Sequence, residues 1–216
     1  ADEQEVLQIL DRHRGQRIRA VGRLHSWSEA VLGDGVLLDL RRLNDVRLRL
    51  DGDQLVATVG AGCQIKRLLE ELNRDGATLH SLGLITAQTI AGAISTGTHG
   101  SGRNSMSHYV VGVRLAHYDA YSGQATIEEL SAGEPLQAAR CSLGSLGIIL
   151  AVKIRCRAQY HVQEHFTESR RLSDVLDAEA SFPLQQFYLI PGRWSYLSQH
   201  RREDHQPRSR LARLYR

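Results

Sequence analysis

Hydrophobic positions along this chain fall into short blocks whose spacing predicts the elements directly. Val6, Leu7 and Leu10 form one helical stripe, Asp2 is placed to cap that helix with Glu5 completing a capping box, and Gly15 ends it. Residues 18–21 read as a short buried strand that runs into a loop from Gly22 to Ser28. Residues 36–40 and 46–50 are apolar strands, and Asp51-Gly52-Asp53 is a hairpin turn into a third strand over 55–59. Ile65, Leu68, Leu69 and Leu72 then recur at helical spacing as far as Gly76, which suits a helix C′ position.

The second half is dominated by strand patterns. Residues 110–115 and 125–130 flank a Tyr121-Ser122-Gly123-Gln124 turn and predict an antiparallel sheet for this half. A short helix is expected from Pro135 to Arg140, then a strand over 145–154. Ser173 reads as the cap of a short helix to residue 180, and residues 186–191 as a strand. From Gln199 onward charge rises and periodicity fades, so a solvated edge is expected there.

One literal motif has to be set aside. His161-Val162-Gln163-Glu164-His165 matches the His-x-x-Glu-His pattern of a zinc-peptidase class. That chemistry needs a helix, which stacks residues four apart on one face, whereas the flanks here alternate as a strand does. On a strand the two histidines stand about 13 Å apart, too far to share a metal.

Between the two halves lies a stretch of another kind. Residues 81–102 hold five glycines, four threonines and three serines and contain no Asp, Glu, Lys or Arg. Small residues let a backbone approach a ligand closely, and their N–H and O–H groups can surround an anion such as a phosphate. A plain glycine turn is the other reading. Gly92 and Gly97 have P-loop spacing, but Thr98 stands where that motif needs Lys, and no Gly-x-Gly-x-x-Gly follows a strand. A mononucleotide kinase and a Rossmann dehydrogenase are therefore not expected.

Composition narrows the picture only a little. With 216 residues, 42% hydrophobic and 24% charged, the chain can bury a sizeable core, and a formal net charge of +3 gives no strong polyanion signal, so no nucleic-acid partner is expected. Cys63, Cys141 and Cys156 are too widely spaced for a disulfide framework and read as buried small hydrophobes in a reducing compartment, with a cytoplasmic location expected. No apolar run reaches the roughly 18 residues of a membrane span.

The segment Gln88-Thr89-Ile90-Ala91-Gly92-Ala93-Ile94-Ser95-Thr96-Gly97-Thr98-His99-Gly100-Ser101-Gly102 resembles the flavin-binding segment of the vanillyl-alcohol-oxidase-type (PCMH-type) FAD family. Within that family it is most similar to the sugar-1,4-lactone oxidases, of the L-gulono- and D-arabinono-lactone kind, and to alditol oxidase. Val21-Gly22-Arg23-Leu24-His25-Ser26 upstream, and Leu136 to Arg140 through Gly144-Ser145-Leu146-Gly147-Ile148-Ile149 downstream, agree in order and spacing. The chain departs from many members at Leu24, where they carry glycine.

The resemblance implies an α+β fold: a two-subdomain FAD-binding domain over residues 1–158, divided near 78/79, followed by the start of an α+β cap (substrate) domain over 159–216. It implies FAD as cofactor, with His25 bonded covalently to the 8α-methyl of the isoalloxazine. The implied FAD-binding residues are Val21, Gly22, Arg23, Leu24, His25 and Ser26 in the first loop. In the central stretch they are Gly83, Thr86, Thr89, Ile90, Gly92, Ser95, Thr96, Thr98, His99, Gly100 and Ser101. Gly147, Ile148 and Ile149 follow at the adenine end.

The activity implied is oxidation of a CH–OH group on a sugar lactone, alditol or similar polyol, by hydride transfer to flavin N5 with oxygen as acceptor. A same-fold dehydrogenase with another acceptor, and a non-enzymatic nucleotide-binding domain, are the alternatives. The family's catalytic base and sugar-holding residues come mostly from cap and C-terminal parts that match nothing here, so no catalytic residue is named and a longer enzyme is expected. Phe187, Tyr188 and Trp194 either face a substrate cavity or belong to a core.

Overall fold

The computed structural model describes residues 1–29 and 34–204. The chain divides into two units, one of residues 1–100 with 105–157 and one of residues 101–104 with 158–216.

The first unit opens with α1 (Glu3–Arg12), whose Asp2 and Glu5 make the expected capping box and whose Val6 and Leu10 are buried. Strand β1 (Ile18–Val21) pairs in parallel with β2 (Val36–Asp39) as a separate two-stranded sheet. Strands β3 (Val46–Asp51) and β4 (Gln54–Gly60) form the hairpin about Gly52, which takes the left-handed φ of 58°. Helix α2 (Ile65–Arg74) buries Ile65, Leu68 and Leu72 and ends before Gly76, at φ 67°.

Two short elements follow that periodicity did not announce: β5 (Ala77–Leu79) and α3 (Ile90–Ser95). Six residues are too few for a helical stripe to stand out among small side chains, and α3 is held by burial of Ile90, Ala93 and Ile94. Strands β6 (Val110–Tyr118) and β7 (Ala125–Leu130) then form the second hairpin, and α4 (Gly133–Arg140) leads to β8 (Ile148–Ala158).

The main sheet runs β3-β4-β8-β6-β7, with β5 also paired to β8. Its strands come from both halves of the unit. The expected division near residue 78 therefore runs through one sheet rather than between two: β4 pairs antiparallel with β8 from Leu55 against Cys156 to Gly60 against Ala151. The cause is burial, since β8 is the central strand and Ile148, Ile149, Leu150, Val152, Ile154 and Cys156 are all in the core. Cys63 and Cys156 are buried as expected, and burial pushes both thiols up to about 11. Cys141, expected inside, is exposed because the chain has already left α4 there.

The second unit is a three-stranded antiparallel sheet, ordered β10 (Gln186–Ile190), β11 (Ser195–Asp204), β9 (His161–Ser169), with α5 (Leu172–Asp177). His161 and His165 lie on β9, so the strand reading of that motif stands. Ser173 is not a cap: Arg171 takes the N-cap position and pairs with Asp174, which lies in the first turn. Of the solvated edge expected from Gln199 onward, residues 205–216 lie outside the described residues; over 199–204 β11 continues as the middle strand, its polar side chains paired across to β9 by Arg201 with Glu164 and Arg202 with Gln163. Phe187, Tyr188 and Trp194 are exposed rather than core.

Arg114 ties α1 to the main sheet. Its guanidinium donates to both oxygens of Glu3 at 2.9 and 3.0 Å and to Glu129 at 2.8 Å, and Lys153 completes the cluster at 3.3 Å. Burial pushes the Glu129 carboxyl up, but hydrogen bonds from Arg114 and Lys153 outweigh it and hold the group below the usual 4.5. A carboxyl lowered on folding stabilises above its ordinary value, and that contribution is lost as pH falls through the lowered one. Arg114→Ala is expected to cost about 1–2 kcal/mol at neutral pH and to flatten the loss of stability below pH about 4.5. Urea unfolding across pH measures both.

Candidate functional site

Residues 86–91 are laced to the chain just ahead of α2. The Ile65 N–H donates to Gln88 O (2.9 Å), the Lys66 N–H to Thr86 O (2.8 Å) and the Gln64 side chain to Ala87 O (3.0 Å). In return the Ile90 N–H donates to Cys63 O at 2.8 Å and the Ala91 N–H to Ala61 O at 3.3 Å. These bonds set where α3 begins. Its far end is held by the Thr98 N–H to Ala93 O (3.0 Å) and the Thr96 hydroxyl to Gly92 O (3.0 Å). Ser95 O receives the Leu143 N–H at 3.3 Å and the Cys141 thiol at 3.4 Å.

Around this frame, three glycines sit where a Cβ has no room. A Cβ on Gly22 would stand 2.5 Å from Thr89 Oγ1, which brings the loop after β1 against the start of α3. One on Gly83 would meet the Thr98 methyl at 2.6 Å, and one on Gly100 the carbonyl oxygen of Leu82 at 2.2 Å. The two ends of the stretch, residues 82–83 and 98–100, therefore lie against each other with backbone nearly touching backbone. Thr89 is buried, and its hydroxyl also lies 3.2 Å from the Cβ position of Gly92.

The loop that carries His25 is exposed from Gly22 to Glu29. Leu24 has φ 55°, the left-handed conformation that favours glycine. Ser26 and Ser28 approach through their hydroxyls at 3.3 Å. His99 is exposed, and its Nδ1 lies 3.0 Å from Gly100 O; a bond to that acceptor requires a proton on Nδ1 and leaves Nε2 facing away from it.

The structure thus joins Gly22 with Thr89 and Gly92, and Gly83 with Thr98, His99 and Gly100. It does not join the third predicted group to them: Gly147, at φ 143°, packs its Cβ position against Ala116 O at 2.5 Å, and Ile148 and Ile149 turn into the core at the start of β8. Ser101 falls in the second unit. Cys141 and Leu143, which approach Ser95, had no sequence signal beyond the neighbouring Gly144. Among the described residues no group of three or more His, Cys, Asp or Glu could hold a metal ion, and no helix is long and apolar enough to cross a membrane.

Comparison with known proteins gives this geometry a context. The model of a family described as FAD binding domain matches residues 1–120. A long-chain alcohol oxidase from an uncultured marine euryarchaeote is 90% identical over 215 residues, covering 100% of this chain and 45% of that protein. The L-gulonolactone oxidase of Bos taurus is 35% identical over 176 residues, covering 80% of this chain and 39% of that protein. The chain thus spans under half the length of these relatives. Among solved structures, a cholesterol oxidase from Brevibacterium sterolicum superposes with a TM-score of 0.83 at 15% identity, over 95% of this chain and 44% of that one, a likeness of fold.

The close approach at Gly100 is testable by itself. Gly100→Ala is expected to cost roughly 2 kcal/mol or more, because the obstacle is the backbone at Leu82. Gly144→Ala, with φ 73° but open space around its Cβ, is expected to cost only about 1 kcal/mol. Paired urea melts compare the two.

Proposed function

Because the chain belongs to the FAD-binding domain family and has the vanillyl-alcohol-oxidase-type fold, we propose that it is the cofactor-binding part of a flavoprotein oxidoreductase that oxidises a CH–OH group. The observation that carries this reading is the glycine-lined cradle, in which the loop after β1 meets the start of α3 and residues 82–83 meet 98–100. Large apolar side chains are left uncovered beside it: Leu24, Trp27, Leu82, Leu84, Ile85 and Leu143. A small-residue backbone flanked by uncovered apolar groups suits a long ligand with flat rings at its ends and phosphates between them.

Bound FAD supplies the acceptor for the hydride. The chain's own residues bind and orient it. Gly22, Gly83 and Gly100 let the loop after β1, residues 82–83 and residues 98–100 close on their neighbours to shape the seat, and the hydrogen bonds exchanged between residues 61–66 and 86–91 fix the start of α3 within it. His25 is the proposed point of covalent attachment to the flavin 8α-methyl. It is exposed on a loop whose base is pinned at Gly22, and an imidazole nitrogen is the nucleophile that such a bond needs. His99 is a proposed flavin contact whose ring is set by its bond to Gly100 O.

For substrate, the proposed class is a sugar lactone, alditol or similar polyol, supported by the L-gulonolactone oxidase likeness. A long-chain alcohol is the second reading, favoured by the 90% identity to a long-chain alcohol oxidase. Oxygen is the proposed acceptor.

The full-length protein is expected to be yellow, to keep a fluorescent flavin band on a denaturing gel, and to lose that band in His25→Ala. A yellow protein without the band would end the covalent proposal alone. Turnover with oxygen as sole acceptor, compared for a sugar 1,4-lactone, an alditol and a long-chain primary alcohol, is expected to favour the lactone or alditol by at least about tenfold. Preference for the long-chain alcohol would replace that substrate class.

A further inference from the structure

The main sheet ends in β3 on one side and β7 on the other, and the two edges treat their charges differently. On β7 the carboxylates find partners inside the fold: Glu128 lies 3.1 Å from His117, and Glu129 lies 2.8 Å from Arg114 and 3.3 Å from Lys153. On β3, Arg47 and Arg49 are exposed, and among the described residues neither guanidinium has a hydrogen bond or an ion pair. Asp45 and Asp51 bracket the two arginines along the chain without pairing with either.

The register shows which backbone groups of β3 point outward. The Gly60 N–H donates to Asp45 O at 2.9 Å, and β3 pairs with β4 from Val46 against Val59 to Asp51 against Gln54. Hydrogen-bonded pairs alternate along an antiparallel ladder, so Arg47, Arg49 and Asp51 bond across to β4, while the N–H and C=O groups of Val46, Leu48 and Leu50 point away from it. Side chains alternate as well. Val46 and Leu48 pack against the core, Leu50 on the same face is 69% exposed, and Arg47 and Arg49 stand on the other face. An antiparallel strand added here bonds to Val46, Leu48 and Leu50, and it meets Arg47 and Arg49 in the positions where facing side chains come closest.

Charge decides which strand fits. A second copy of β3 centred on Leu48 sets Arg47 against Arg49, a like-charge contact. Carboxylates suit the same positions, because their two oxygens match the guanidinium fork. Neither β3 nor β4 carries an aromatic side chain on which a nucleic-acid base stacks, and one exposed leucine is too little to enter a bilayer.

We propose that β3 is a docking edge for an extended segment of a partner protein. Acidic residues at alternate positions of that segment face Arg47 and Arg49, and the apolar residues between them extend the core face over Leu48 and Leu50.

The test uses the full-length protein and a short fluorescein-labelled peptide alternating Glu and Val. Binding is read by fluorescence anisotropy at low salt, and hydrogen exchange is read at single amides. The peptide is expected to bind, to slow exchange at Leu48 and Leu50 by at least about tenfold while leaving Arg47 and Arg49 unchanged, and to lose at least about tenfold in affinity in the Arg47→Gln, Arg49→Gln double variant. The variant's melting temperature is expected to be unchanged, since neither side chain has a partner to lose; a lowered one assigns the arginines to the fold and overturns the proposal. No binding, equal binding by the double variant, or equal binding by a peptide with its Glu and Val residues in separate blocks also overturns it. Binding without protection of Leu48 and Leu50 reduces the contact to loose charge attraction and rejects strand addition. Protection of those amides before any peptide is added means that the protein's own chain holds the edge, and tighter binding of oligothymidylate or phosphatidylserine vesicles means that the partner is not a protein; either result overturns the proposal.

Discussion

Everything the first unit can present to a ligand depends on the exchange of hydrogen bonds between residues 61–66 and 86–91. The small residues of the central stretch have little side chain with which to hold themselves in place, so the backbone has to do it. Gly60 and Gly62 make this possible from the other side: their Cβ positions would fall 2.5 Å from Leu43 O and 2.0 Å from Leu40 O. The end of β4 is thereby seated on the chain leaving β2, and the start of α3 is seated on the end of β4. Close backbone approach is used twice in succession, first to build the support and then to shape what the support carries.

The same arrangement explains the contrast between the rigid and the open parts of the site. Thr89 is buried and wedged between Gly22 and Gly92, whereas the loop beyond Gly22 is exposed for its whole described length. A loop fixed at its base and free at its tip can bring one side chain to a ligand without distorting the seat on which that ligand lies. Leu24 shows that the loop's backbone conformation is set by this geometry and not by local preference, because leucine rarely adopts a positive φ by choice.

Much of this was legible in the residues. The capping box at Asp2, the stripe of α2 and its glycine stop, and the turns at Gly52 and Gly123 are local signals, and local physics decides them. The central stretch was legible as unusual because a long run without charge is hard to account for on a surface. What could not be read was non-local. The pairing of β4 with β8 joins residues about a hundred apart, and nothing in either strand names the other. The length of β11 was hidden because its support is polar cross-strand pairing, as at Arg201 and Glu164, which leaves no hydrophobic period. Ser173 misled because a good capping residue lost to its neighbour Arg171, held by Asp174. At the site, the glycines were visible but their opposing groups, the carbonyls of Leu82 and Ala116, were not, since every residue has a carbonyl.

The position of β8 in the main sheet also bears on how the protein is made. It is the last strand of the first unit to be synthesised, yet β4, β5 and β6 all pair with it. The two hairpins, β3 with β4 and β6 with β7, can close as they emerge, but until residues near 150 leave the ribosome each shows an open edge. The nascent chain therefore passes through an interval in which apolar strands await their common partner, and aggregation rather than slow chemistry is the hazard of that interval. A cofactor that binds only the completed sheet would draw the chain out of it by mass action, so flavin supply during expression should govern yield as much as activity.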